Sequence, residues 1–254
     1  MTFFYNHYLL TSFLAGMFTF LITILGASVI FLFKKINSRL ENAMMGIAGG
    51  VMLAASFFSL LSPALDICSS LQMISWLNLS VGFILGGAFL YWGDIFISKK
   101  EANCNKKSKM LIFSITLHNI PEGLAVGVAY GLLKYNFSWG VFVSALLITL
   151  GIGLQNFPEG TAVAMPILAD GKRAKDAFKI SSLTGIVEPI FSLVGALLAS
   201  KVQYIMPVLL SFAAGAMIYV VICEIIPEAS NKKVMTIYSI IGFTIMMILD
   251  VALG

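Results

Sequence analysis

His118-Asn119-Ile120-Pro121-Glu122-Gly123 sits midway along an otherwise apolar stretch, Met110 to Leu133, and its surroundings decide what kind of molecule this is. Leu111-Ile112-Phe113 precede it and Leu124-Ala125-Val126 follow it. A helix that crosses a bilayer needs about 20 mostly apolar residues. Besides 110–133, seven further stretches qualify: roughly 9–33, 43–65, 73–97, 138–168, 177–200, 203–227 and 234–251. The strict alternation of a membrane β-barrel is absent. The sequence therefore predicts an all-α integral membrane protein with eight transmembrane helices, forming one membrane domain over 1–254.

Composition agrees. Of 254 residues, 59% are apolar and 11% are charged, whereas an ordinary soluble domain has about 25% charged residues. The mean hydropathy is +0.96. A soluble globule of this size cannot hide so much apolar surface. A soluble enzyme, a nucleic-acid-binding domain and a disordered chain are excluded. Cys68, Cys104 and Cys223 are odd in number and lack CxxC spacing, so no disulfide framework follows. The first stretch is too long for a signal-peptide core and reads as a retained span.

The positive charges give the topology. Lys34, Lys35 and Arg39 follow the first span; Lys99, Lys100, Lys106, Lys107 and Lys109 follow the third. Lys172, Arg173, Lys175 and Lys179 follow the fifth; Lys232 and Lys233 follow the seventh. The even-numbered connections hold only Lys134 and Lys201. The positive-inside rule puts the odd connections in the cytoplasm and both termini outside.

Ionisable residues deep in a membrane are costly and face a pathway or a partner. Here they cluster. HNIPEGLAVG (118–127) in the fourth span and QNFPEGTAVA (155–164) in the fifth share six of ten residues, and the sixth span carries Glu188-Pro189. The fourth and fifth spans run in opposite directions, so the two copies meet head to tail. Counted from the inner span ends, His118, Glu159 and Glu188 all lie roughly 12–17 Å into a core of about 30 Å. His118 and Glu122 stack on one helix face, four residues apart, and Gln155 and Glu159 repeat the spacing. Asn119 and Asn156 sit one position along.

Imidazole, carboxylate and amide together suit Zn²⁺, and also Fe²⁺ or Mn²⁺. Pro121 and Pro158 free the carbonyls of Leu117 and Leu154 for ligation or for orienting water. Prolines beside glycines also kink membrane helices for packing alone. The carboxylates have no deep Lys or Arg to pair with, so a bound cation or protons must neutralise them. Met52 by itself reads as a packing residue, and Asp250 as a solvated boundary carboxylate. Asp94 and the Cys223-Glu224 pair read either as helix-end charge or as an inner vestibule.

These motifs resemble the ZIP (Zrt/Irt-like) family of divalent-metal transporters, in its bacterial GufA-like branch. GVMLAASFFSLLSPAL from Gly50, VEPI around Glu188 and CEIIPE from Cys223 carry the resemblance along the rest of the chain. It implies a ZIP-type 3+2+3 arrangement of eight spans, in a multi-pass protein of the bacterial cytoplasmic (inner) membrane. Spans 1, 4, 5 and 6 would form a moving unit, and spans 2, 3, 7 and 8 a support and a homodimer contact. It further implies a primary metal site of His118, Glu122, Gln155 and Glu159 with Met52, and a second of Asn119, Asn156, Glu159 and Glu188. Ser59 would line the entrance, and Asp94 with Glu224 the exit. Asn156 departs from the Asp of several relatives, Cys223 from a frequent His, and the third connection lacks a His run.

The function expected is elevator-type uptake of Zn²⁺ into the cytoplasm, with Fe²⁺, Mn²⁺ or Cd²⁺ as secondary ions. No organic cofactor and no nucleic-acid partner are expected; the partners are the cation, the lipid bilayer and a second copy. Metal efflux and a channel are alternatives. An intramembrane metal-dependent hydrolase is a third, but His7 and His118 are the only histidines and no HExxH occurs.

Overall fold

A computed structural model of the chain describes residues 7–33, 37–100, 106–135, 137–169 and 171–253. Among these it is helical throughout, without a strand. Seven helices are long and apolar enough to cross a membrane. We number the long helices in chain order: α1 (Tyr8–Leu32), α2 (Ser38–Ser70), α3 (Ser75–Lys100), α4 (Lys106–Gly131), α5 (Trp139–Ala169), α6 (Ala174–Leu197), α7 (Met206–Ile225) and α8 (Lys232–Leu253). The seven include all but α4, a 26-residue helix that carries the HNIPEG motif. Lys34 and Lys35, on which the charge asymmetry partly rests, lie outside the described residues, as does 101–105.

Besides the 3-10 turn Val29–Leu32 that ends α1, three helices depart from straight α geometry, each for a local reason. α6 breaks between its halves, Ala174–Thr184 and Val187–Leu197, at Gly185-Ile186. Glu188 consequently stands in the first turn of the second half, at the positive end of that half's dipole, with its own N–H bonded to the Gly185 carbonyl at 3.0 Å. α2 widens to a π-helical turn over Ser56–Leu61, and α7 does so over Val221–Ile225. Pro63 and Pro227 follow these turns. Each lacks the N–H that would close the regular ladder, and a widened turn absorbs the mismatch.

The helices pack as two sets. α1, α4, α5 and α6 surround one another, and α2 pairs with α8 while α3 pairs with α7. The two sets meet where α4 touches α7 and α5 touches α2. Glycines mark the seams inside each set. A Cβ on Gly123 of α4 would come within 3.0 Å of Glu188 Cα on α6, and one on Gly160 of α5 within 2.9 Å of Ala27 N on α1. In the other set Gly50 seats α2 against Ser239 and Phe243 of α8, and Gly86 seats α3 against Phe212 of α7. Among the described glycines, such backbone-to-backbone approaches all stay within a set. Across the sets, the nearest that a Cβ on any of these glycines would come is at Gly151, 4.0 Å from an Asp250 carboxylate oxygen.

Candidate metal centre

The buried face of α1 is a stripe of small and hydroxyl residues: Ser12, Ala15, Gly16, Thr19, Thr23, Gly26 and Ala27. Their three- and four-residue spacing puts them on one side of the helix. Without bulky side chains there, α5 and α6 come close. Ser12 and Ser192 fasten α1 to α6, each hydroxyl donating to the other's backbone carbonyl at 2.9 and 2.6 Å. Ser181 Oγ donates to the Gly160 carbonyl at 2.6 Å, and Thr161 Oγ1 to that of Gly26 at 2.8 Å. These bonds tie α1, α5 and α6 to one another beside the polar core.

His118, Asn119, Glu122, Gln155, Asn156, Glu159 and Glu188 are all buried, none more than 1% exposed. The two motif copies interlock by exchange. His118, first in its copy, shares a 3.0 Å hydrogen bond with Glu159 Oε2, fifth in the other. Gln155, first in the second copy, donates from Nε2 to Glu122 Oε1, fifth in the first. This crossed pattern is what two copies meeting head to tail must give. One ligand atom from each of His118, Glu122 and Glu159 lies within 4.8 Å of the others.

Glu188 serves both copies. Asn156 Nδ2 donates to its Oε2 at 2.7 Å, and Asn119 Nδ2 to its Oε1 at 3.4 Å. Thr23 Oγ1 donates to the same Oε1 at 3.3 Å. The two amides also donate to the Thr184 and Thr19 carbonyls, at 3.3 and 3.4 Å.

Donors thus face inward onto carboxylates, while many acceptors face nothing. Among the buried atoms without a hydrogen-bond partner are His118 Nδ1, Asn119 Oδ1, Glu122 Oε2, Gln155 Oε1, Asn156 Oδ1 and Glu159 Oε1. A buried polar atom left unpaired costs about 1–3 kcal/mol. Five oxygens and one ring nitrogen gathered in one place offer lone pairs that a cation could take. The sequence has no Lys or Arg in 110–133, 138–168 or 180–197 to serve instead.

The remaining sequence-predicted residues lie elsewhere. Met52 is fully buried in the core of α2, the helix that meets α5. Ser59, in the widened turn of α2, donates to Asp250 Oδ1 at 2.7 Å. Asp250 is therefore half-buried and engaged, a correction to its reading as a solvated boundary carboxylate. Its carboxylate turns toward α2, where Ser59 reaches it. Cys223 is exposed on the widened turn of α7, one turn from Tyr219. Asp94 and Glu224 lie near enough to act electrostatically on both. Thr19, Thr23 and Thr184, which surround Glu188, were not anticipated. The polar stripe of α1 was the available signal.

Residues 97–250, more than half of the chain, match the family described as ZIP zinc transporter. The chain belongs to the ZIP family. Zinc transporter GufA of Myxococcus xanthus is 33% identical over 97% of this chain and 98% of its own length. Zinc transporter ZIPB of Bordetella bronchiseptica is 34% identical over 95% of this chain and 81% of its own. Zinc transporter ZIP11 of Homo sapiens is 33% identical over 95% of this chain and 96% of its own. This ZIP protein is accordingly a multi-pass membrane transporter of metal ions and not an enzyme. The GufA-like character expected from its motifs is borne out by the first of these relatives.

Proposed function

We propose that this chain takes up Zn²⁺ into the cytoplasm across the bacterial inner membrane. The observation that carries the proposal is the convergence of six unpartnered buried acceptors with three carboxylates, without a basic side chain among them. His118, Glu122, Gln155 and Glu159 form the primary site, to which Met52 lends its thioether. Asn119, Asn156, Glu159 and Glu188 form the adjoining second site. Oxygen-rich mixed ligands hold zinc loosely enough to release it, unlike a thiolate set. Fe²⁺, Mn²⁺ and Cd²⁺ are secondary substrates of the same chemistry.

In this reading α4 is the eighth crossing and both termini lie outside, in accord with the lysine distribution. Zinc enters past Ser59, which Asp250 holds in place. It leaves past Asp94, Cys223 and Glu224. The set α1, α4, α5 and α6 carries the ion by sliding against α2, α3, α7 and α8, which also form the dimer contact. The glycine seams support this, since they tie backbones together inside each set and are missing between the sets. A membrane potential negative inside favours entry of a dication by about 4.6 kcal/mol per 100 mV, twice the value for one charge.

Zinc flux into liposomes of known protein orientation tests the proposal. Glu122→Ala and Glu159→Ala should each lower the flux by about tenfold or more, since even an outer-shell partner of a metal contributes 10–100-fold. Wild-type flux in both variants would overturn it. Saturation of the rate distinguishes a carrier from a channel, and the direction of the flux distinguishes uptake from efflux.

A further inference from the structure

Between α2, the end of α7 and α8 runs an apolar groove of about 400 Å³ that the metal centre does not use. Gly49, Leu53 and Val221 line its inner side, and Met235 and Phe243 its α8 wall. Gly49 contributes no side chain, which deepens the groove there. Thr236, Ile240 and Thr244 form its rim on the exposed face of α8. Both threonine hydroxyls donate one turn back, to the Lys232 and Ile240 carbonyls at 2.8 Å. They therefore offer the groove little polarity.

The groove has a direction. Lys232 lines one end and Thr244 the other, twelve residues apart on α8, or about 18 Å. That is close to one leaflet of a hydrocarbon core about 30 Å thick. The Lys232 end carries Lys232 and Lys233, with Glu228 four residues before Lys232 in the sequence. Asn42 donates to Ser230 Oγ at 2.7 Å and accepts from the Asn231 N–H at 3.1 Å. These bonds fasten the start of α2 to the start of α8, so exposed Arg39 stands at the same end as Lys232 and Lys233. Glu41 is the one acidic residue in that first turn of α2.

A slot one leaflet deep, apolar along its length and cationic at its mouth, fits an amphiphile with an anionic head. We propose that it holds an acyl chain of an anionic phospholipid, with the phosphate at Lys232 and Lys233. The bound lipid wedges α2, α7 and α8 together at the membrane boundary.

Native mass spectrometry of the full chain, released from vesicles of equal phosphatidylglycerol and phosphatidylcholine, tests this. Wild type should retain phosphatidylglycerol over phosphatidylcholine by about fivefold or more, the ratio that about 1 kcal/mol from one basic residue represents. Lys232→Gln with Lys233→Gln should bring the ratio to about one. Thr244→Trp fills the far end without changing charge and should reduce retention of both lipids. Equal retention by wild type, or an unchanged ratio in the double variant, overturns the proposal. So does a Thr244→Trp protein that keeps its lipid but turns from dimer to monomer, which would assign the groove to a second copy.

Discussion

Asn156 donates to Glu188 at 2.7 Å, and this one amide sets how much negative charge the core must hold when no metal is bound. Asn156→Asp replaces the donor with a second carboxylate at the same distance. The two oxygens then repel until a cation sits between them. The variant should melt below wild type in chelator, by the equivalent of about 1–3 kcal/mol for a buried unsatisfied group. It should gain more than wild type from added zinc, because binding to the folded state alone stabilises it by mass action. A thermal-shift titration with and without zinc reads both effects; equal zinc gains in the two proteins would contradict the assignment of Asn156 to the second site. Protons compete with the metal for these carboxylates, so the zinc concentration for half-maximal flux should rise as the pH falls. A pH-independent half-saturation would speak against carboxylate ligation. The residues of the polar core were readable from the doubled motif because their spacing is local. The threonines around Glu188 were not. Hydroxyls on an apolar helix usually bond their own backbone, and only the fold shows which one turns to a carboxylate.

At the scale of helices, the motif glycines divide their work. Gly123 opens α4 to α6 beside Glu188, and Gly160 opens α5 to α1 beside Thr23. A side chain at Gly160 meets the α1 backbone rather than a yielding side-chain tip. Gly160→Val should cost about 1–3 kcal/mol of stability or more, as overpacking does. Gly87→Ala, whose new Cβ would find its nearest neighbour at 3.8 Å, should melt close to wild type. Thermal unfolding monitored by size-exclusion fluorescence compares the two, and a stable Gly160→Val protein would show that the α1–α5 seam is loose. Helix existence was legible because apolar length is a strong signal. The break at Gly185-Ile186 and the widened turns before Pro63 and Pro227 were not, since a proline states that a bond is lost but not how the helix repairs it.

In the whole molecule, the glycine-seated backbone approaches stay within two sets of helices, and the polar core lies wholly within one of them. That division was carried into the sequence reading by resemblance. Nothing in composition or periodicity says which of several apolar helices pair. The depth agreement of His118, Glu159 and Glu188, by contrast, was arithmetic on span ends, and all three do meet in the folded chain through His118–Glu159 and the shared asparagines. The central claim is that this meeting point binds a dication. An anomalous-scattering map of zinc-soaked crystals tests it most directly. A zinc peak should stand about 2.0–2.2 Å from a His118 ring nitrogen and from carboxylate oxygens of Glu122 and Glu159. A map with zinc bound elsewhere and no peak between those three side chains would contradict the account.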